Sequence, residues 1–266
     1  MKRKLLSLFS LFTIFSLTSC NNSFLTIDQI IESNKLVVTT NAEFAPFEYK
    51  QGSSLKGIDI EIVEAYAKYL DVKLVIKDLD FDAALLSVST CKADLAIAAI
   101  TTNDKRKEVF DFSNSYYYAN QVIIVKENSI YESCLTSDDV LKTLSNNKAI
   151  IGCQRGTTGQ YYIEGDSSWG FDGITNSTCK AFDNGSLAVK ALANGQIDAV
   201  IIDEVPATLY CKEFKGVKTL DFVFTQEEYA IAVSKGNITL VNSLNEFIDK
   251  IRKDGTFDSI VGKYYA

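Results

Sequence analysis

Histidine is absent from this sequence, and the cysteines do not compensate for it as metal ligands or as a catalytic pair. The cysteines beyond residue 20 are Cys91, Cys134, Cys153, Cys179 and Cys211, and no two of them have metal-ligand spacing. A zinc site, a Ser-His-Asp triad and a Cys-His dyad are therefore poorly supported. We expect no metal, no cofactor and no catalytic residue. The odd number of these cysteines leaves at least one thiol outside any disulfide.

An excess of basic residues is also lacking. The chain has 27 basic and 34 acidic residues, and three of the basic ones lie in the first 20 residues, which contain no acidic one. The remainder is strongly acidic and has no basic cluster, which argues against binding to nucleic acid or to anionic lipid. Apolar residues make up 47% of the sequence, enough for a core, and the length suits two modest domains.

Long apolar runs are missing except at the N-terminus, where Leu5–Leu17 follows a basic start. This run is shorter than a membrane span of about 18 residues and has the form of a signal peptide, which we assign to residues 1–20. Leu17-Thr18-Ser19-Cys20 resembles the lipobox of bacterial lipoproteins, in which the cysteine carries the lipid. The alternative is an ordinary signal peptide with an incidental Cys20. Either form predicts an exported protein.

Strands and helices alternate along the rest of the sequence. The pattern predicts strands at 36–40, 72–76, 93–100, 149–153, 178–182 and 199–202, and helices at 57–70, 81–89, 137–144, 185–193, 203–211, 238–253 and 257–265. This order predicts an α/β protein of two similar units, each a mostly parallel sheet flanked by helices. Tyr118–Val125 and Tyr229–Val233 contain no proline or glycine cluster, so we interpret them as strand-like crossovers that form a hinge.

The stretch Asp94–Tyr118 contains the first candidate site. An apolar run ends at Thr101 and Thr102, and a charged turn with Arg106 follows. Ligands of parallel sheets lie beyond the carboxyl ends of the strands, and a guanidinium there suits a carboxylate, to which it can donate two parallel hydrogen bonds. The alternative is that Arg106 is one of several solvated charges.

Seven stretches together resemble the substrate-binding proteins of bacterial ABC importers for polar amino acids, which have the type II periplasmic-binding fold. They cover nearly the whole chain beyond residue 20, at 41–49, 57–62, 81–85, 94–117, 152–159, 195–203 and 229–237. The resemblance implies a two-lobed protein, with one lobe formed by residues 27–119 and 225–266 and the other by residues 120–224.

The resemblance also assigns roles to residues that contact the backbone of the ligand. Arg106 would hold the α-carboxylate with help from Thr101, while Thr157 and Thr158 would add donors from the second lobe. Asp203 would accept the α-ammonium. The carbonyl group of Ala99 would share that task.

Three further residues would surround the ligand side chain. Phe44 and Phe81 would flank it, although an aromatic residue taken alone is more often part of the core. Phe44, in a loop, is the better candidate of the two, and Gln154 occupies a position that varies with the ligand in this family. Glu43 lies beside Phe44, and it would favour arginine or lysine if it faced the cleft, because an unpaired buried carboxylate is costly. The alternative is a solvent-facing Glu43 on the rim.

The function implied by the resemblance is capture without chemistry. The chain would bind a free amino acid, arginine or another basic or polar one, and deliver it to an ABC permease in the inner membrane. We expect a monomer that is held by its lipid on the periplasmic side of that membrane or at the cell surface. The alternative is a dehydratase of the same fold acting on arogenate or prephenate, for which Glu43 and Glu204 are the visible acid and base candidates.

Overall fold

The computed structural model describes residues 23–223 and 225–265, so the assigned signal peptide and Cys20 lie outside the described residues. The helices are α1 Ile27–Glu32, α2 Ile58–Tyr69, α3 Phe81–Ser89, α4 Asp104–Val109, α5 Ser137–Asn146, α6 Thr158–Glu164, α7 Gly185–Ala193, α8 Glu204–Glu213, α9 Ile238–Lys253 and α10 Thr256–Gly262. A short 3-10 helix covers Ser167–Trp169. None of the helices in these two ranges is long and apolar enough to cross a membrane.

The strands form two large sheets and a small one. They are β1 Lys35–Thr40, β2 Glu43–Phe44, β3 Glu48–Gln51, β4 Ser54–Lys56, β5 Lys73–Asp78, β6 Leu95–Ala96, β7 Phe110–Phe112, β8 Tyr117–Lys126, β9 Ile150–Gln154, β10 Thr178–Phe182, β11 Ala199–Asp203, β12 Val217–Thr219, β13 Thr225–Tyr229 and β14 Ala232–Ser234. The first sheet has the order β5-β1-β6-β14-β7 and the second the order β10-β9-β11-β8-β12, with β13 also paired to β8. Strands β2, β3 and β4 form the small antiparallel sheet.

Each large sheet is mixed rather than mostly parallel. Strand β1 runs parallel to β5 and β6, and β9 runs parallel to β10 and β11. The strands next to the crossovers run antiparallel to their neighbours, as β8 does to β11 and β14 does to β6. The chain passes from the first sheet to the second between β7 and β8 and returns between β13 and β14. The residue bounds of the two lobes stay a prediction.

Capping side chains and the spacing of the apolar residues explain where the helices form, as α9 shows. Asn237 accepts a hydrogen bond from the Leu240 N–H at the start of α9, and the buried residues of this helix recur at three- and four-residue intervals. They are Leu240, Leu244, Phe247, Ile248 and Ile251. Helix α9 therefore packs against the first sheet along one face.

The sequence-based elements were wrong at several places. Arg106 lies in a helix, α4, rather than in a turn, because the Asn103 side chain caps its N-terminus. Strand β6 covers only two residues of the predicted 93–100, since the chain turns at Ala99, whose φ is +46°. Helix α5 extends to Asn146, two residues beyond the predicted 137–144, and Thr136 caps its N-terminus.

Candidate functional site

A cavity lies where strands of both large sheets end. Asn41 directly follows β1, while Gln154 ends β9 and Asp203 ends β11, so the carboxyl ends of parallel strands meet here. The sequence-predicted residues that line this cavity are Phe44, Phe81, Ala99, Thr101, Arg106, Gln154, Thr157, Thr158 and Asp203. The fold therefore brings nine of the ten candidate ligand-binding residues together.

Arg106 is a buried cation without a close anion. Its side chain is only 8% exposed, and it donates from Nη1 to the Thr101 carbonyl (2.7 Å) and from Nη2 to the Gly156 carbonyl (3.1 Å). The guanidinium also lies 5.3 Å from the centre of the Phe81 ring. Within the described ranges no carboxylate forms an ion pair with it. Burial lowers its pKa, and since arginine stays charged in proteins, an anionic ligand group would offset this cost.

Asp203 lines the same cavity from the second sheet. Its Oδ1 accepts a hydrogen bond from the Tyr229 hydroxyl at 2.5 Å. Burial, and next the negative charge of Glu227, raise the pKa of Asp203 to about 7. A ligand ammonium would reverse this effect, because a nearby cation favours the ionised carboxylate. The cavity thus offers one cationic and one acidic group.

Glu227 is a site residue that the sequence analysis missed. It is buried in β13, and its Oε2 accepts hydrogen bonds from the hydroxyl groups of Thr101 and Thr158, the latter at 3.0 Å. Burial raises its pKa. Glu227 and Tyr229 are buried in β13 while Gln226 and Glu228 are exposed, an alternation that the sequence of this strand does not show.

Asn41 and Glu48 also line the cavity and were missed as ligand-binding residues. The Asn41 amide donates to the Leu79 carbonyl at 2.9 Å and accepts from Gln154 Nε2 at 2.9 Å. Glu48 begins β3 and is 1% exposed, and burial together with Asp59 raises its pKa well above the ordinary value. Both residues belong to the stretch 41–49 that carries the family resemblance.

Asp59 supports the wall of the cavity from α2. Its Oδ2 accepts hydrogen bonds from the Ala99 N–H at 2.8 Å and from the Tyr116 hydroxyl at 2.9 Å. Ala99 has a left-handed backbone, with φ of +46°, which is costly for a residue with a side chain. The buried carboxylate therefore holds a strained turn in place beside the ligand site.

Glu43 does not reach the cavity. Its side chain is exposed, because the alternation of β2 turns Phe44 inward and Glu43 outward. The Tyr210 hydroxyl donates to the Glu43 carbonyl at 3.1 Å, so only the backbone of Glu43 joins the interior. The solvent-facing alternative describes this residue, and the hypothesis that Glu43 selects a basic ligand has no support from its position.

Comparisons with known proteins agree with this geometry. The sequence model of the "Bacterial extracellular solute-binding proteins, family 3" matches residues 36–266. A "Probable histidine-binding protein" of Neisseria gonorrhoeae is 34% identical over 234 residues, which cover 86% of this chain and 82% of that protein. These matches bear out the predicted resemblance.

Solved structures give the same result for the fold. The structure described as "An ancestral arginine-binding protein bound to arginine" has a TM-score of 0.77 and 34% identity, and the match covers 88% of this chain and 99% of that one. An ancestral amino acid-binding protein, described as a precursor of cyclohexadienyl dehydratase, has a TM-score of 0.78 and 27% identity, with 90% and 99% covered. The predicted two-lobed α/β fold class is confirmed.

Proposed function

This chain belongs to the bacterial extracellular solute-binding proteins of family 3, and on that premise we propose that it captures a free amino acid and delivers it to the permease of an ABC importer. The observation that carries the proposal is the pairing of Arg106 and Asp203 in one cavity. A buried guanidinium and a buried carboxyl match the two charged groups of an amino-acid backbone.

Arg106 carries most of the proposed recognition of the α-carboxylate. The hydroxyl groups of Thr101 and Thr158 already donate to Glu227, and that of Thr157 donates to the Gln154 carbonyl at 2.8 Å. These threonines therefore shape the site, while the guanidinium supplies the charge. Asp203 would take the α-ammonium, and the carbonyl group of Ala99 lies on the same wall.

Closure of the two lobes is the proposed mechanism. Arg106 donates to Gly156 across the cleft, and Gln154 donates to Asn41. A ligand that bonds to both lobes binds the closed form better than the open one, and that difference in affinity shifts the population. The closed form would then dock on the permease.

We also propose that the exported protein is a monomer anchored by a lipid on Cys20. The sequence of the first 20 residues supports the export and the lipid anchor. Labelling of cells with a radioactive fatty acid should mark the protein and should not mark a Cys20→Ala variant. An unlabelled wild-type protein would contradict the anchor and would leave the binding function untouched.

A role as an enzyme is less well supported. The acid and base candidates Glu43 and Glu204 both lie outside the cavity wall, and Glu204 instead accepts a hydrogen bond from Asn120 at 2.7 Å. The dehydratase precursor among the structural neighbours is itself described as a binding protein. Turnover of arogenate or prephenate by the purified protein would overturn the proposal.

A thermal-shift screen tests the proposed function directly. Because a ligand that binds only the folded state stabilises it, an amino acid at 100 times its Kd should add about 2.7 kcal/mol to the free energy of unfolding. The matched control is the amide of the same amino acid, which lacks the carboxylate that Arg106 would hold. If none of the 20 amino acids nor ornithine raises the melting temperature, the proposal fails.

A further inference from the structure

Two cysteines meet where the second sheet ends. Strand β10 pairs with β9 in parallel register, with Cys179 opposite Ile151 and Ala181 opposite Cys153. Residues two apart in a strand face the same side of the sheet, so Cys153 and Cys179 lie on one face, each on its own strand. Their Sγ atoms are 3.5 Å apart.

The cysteines at positions 91, 134 and 211 have other partners. Cys91 contacts the Ser234 hydroxyl at 3.8 Å, and Cys134 contacts the Thr143 hydroxyl at 3.6 Å. The sulfur of Cys211 is hydrogen-bonded to the backbone. Among the five cysteines that the structure describes, the pair on β9 and β10 is therefore the one whose sulfur atoms meet.

We infer that Cys153 and Cys179 are a disulfide site, at which oxidation joins β9 covalently to β10. The family is extracellular, and disulfides form and persist in oxidising surroundings of that kind. A disulfide holds its sulfur atoms at about 2.05 Å, so the two must approach by about 1.5 Å. In the sheet that the structure describes, β10 is an edge strand paired to β9 alone, so it can shift without breaking a second ladder.

The oxidant would be another disulfide, RSSR, in a small molecule or a protein. The sulfur of Cys179 attacks one sulfur atom of RSSR, which gives a mixed disulfide and releases RS⁻ to take the Cys179 proton. Cys153 then attacks the Cys179 sulfur, and the second RS⁻ leaves with the Cys153 proton. The two thiols lose two electrons and two protons in all, and RSSR becomes two RSH.

The surroundings of the two thiols set this order. Cys179 is only half-buried, so an oxidant in solution reaches it first. Cys153 is fully buried, and its hydrogen bond to Cys179, together with that burial, raises the pKa of its thiol. A buried protonated thiol is a poor first nucleophile, but Cys153 already lies beside the sulfur that it attacks in the second step.

The bond would close the segment between the two cysteines into a loop. That segment contains α6, the cavity residues Thr157 and Thr158, and Gly156, whose carbonyl accepts from Arg106 across the cleft. A disulfide removes conformational freedom from the unfolded chain and so stabilises the fold of the segment that it closes. The link would therefore stabilise the part of the second lobe that lines the cavity.

Peptide mapping tests the linkage directly, because trypsin places the five cysteines on five different peptides. Cys153 falls on 149–155 and Cys179 on 156–180. In protein purified after secretion, alkylated without reduction and digested, mass spectrometry should show these two peptides linked, two hydrogen masses below their sum. Reduced protein incubated with oxidised glutathione should give the same linked pair.

Three results of that incubation would overturn the inference. They are two separately alkylated peptides, a glutathione adduct on Cys179 that goes no further, and a link from either cysteine to a cysteine elsewhere in the chain. None of these results depends on amino-acid binding, so they leave the proposed function untouched.

A melting experiment tests whether the bond stabilises the fold. Dithiothreitol should lower the melting temperature of the oxidised wild type by about 5 °C or more and should not change that of Cys179→Ser. Cys134→Ser is the matched control, because Cys134 is also half-buried and packs against the same core cluster, and it should respond like the wild type. Equal responses of wild type and Cys179→Ser would refute the stabilising role. If Cys179→Ser fails to fold, a wild type that melts unchanged after reduction refutes it instead.

Discussion

At the scale of single residues, the cavity concentrates ionisable groups that water would normally solvate. Arg106, Asp203, Glu48, Asp59 and Glu227 are all buried, and each carries a pKa shifted by that burial. Perturbed groups of this kind cluster at functional sites, where a ligand relieves the cost. Burial of these groups therefore lowers the free energy of unfolding of the ligand-free protein, compared with an apolar core of the same size.

We expect Arg106→Lys to weaken amino-acid binding by at least about 30-fold, since truncating a buried charged contact costs about 2 kcal/mol or more. A lysine places a point charge where a planar fork is needed. Arg155→Lys is the control, because Arg155 is exposed and pairs with Asp183 at 3.6 Å. Titration calorimetry gives both affinities, and equal losses in the two variants would contradict the carboxylate role.

A second prediction concerns pH and Asp203. Its pKa rises from 3.8 to about 7 on folding, so the folded state favours the protonated carboxyl. The resulting stability is fully present below about pH 4 and is lost as the pH rises towards 7. The melting temperature of the ligand-free protein, measured by calorimetry between pH 4 and 7, should therefore fall less in Asp203→Asn than in wild type. Identical slopes would show that Asp203 does not titrate in this range.

At the scale of elements, the sequence predicted the bounds of a helix or strand best where its apolar residues follow a clear period. Helix α9 was predicted at its observed bounds because its apolar residues recur at helical spacing. The small sheet of β2, β3 and β4 was missed, since Glu43–Phe44 is too short to show alternation.

The role of Glu227 was missed for another reason. Its neighbours Gln226 and Glu228 are exposed, so the segment looks like a solvated link until the pairing with β8 fixes its register.

The start of α2 gives a prediction at this scale. Gly57 has φ of +127°, and a Cβ there would lie 2.0 Å from the Phe47 carbonyl oxygen, a contact that requires the backbone to move. Gly57→Ala should lower the free energy of unfolding by about 3 kcal/mol or more. Gly52→Ala, with φ of +64° and open space around it, isolates the conformational cost, which is about 1 kcal/mol. Urea unfolding of both variants measures the difference, and equal losses would rule out the clash.

At the scale of the whole molecule, contacts that join the two lobes hold the cavity closed. Besides the Arg106 and Gln154 bonds, Lys105 forms an ion pair with Asp166 at 2.8 Å on the surface. Exposed pairs of this kind contribute about 0–1 kcal/mol, so the buried bonds are the more important ones. The sequence analysis predicted this arrangement only from the family resemblance. No local sequence pattern indicates which strand ends face each other.

Gly156→Ala should interfere with closure beyond the conformational cost that its left-handed backbone adds to folding. Gly156 has φ of +73°, and a Cβ there would lie 1.8 Å from Asp82 Oδ1, so the exposed Asp82 side chain, in α3 of the opposite lobe, would have to rotate away before the cleft could close fully. Small-angle scattering should show that a bound amino acid reduces the radius of gyration of the wild type and does so less in Gly156→Ala. Gly170→Ala has the same φ and open surroundings, so it should compact like the wild type. Full compaction of Gly156→Ala would contradict the prediction.

Glu227 has a consequence for the speed of import. It belongs to β13, a crossover strand, and it accepts hydroxyl groups from Thr101 on one side of the cleft and Thr158 on the other. We expect opening of the cleft to break one of these bonds, so that Glu227 would influence how long a bound amino acid stays without contacting it. A carrier of this kind could evolve faster or slower release by changing its hinge, while its choice of cargo stayed the same.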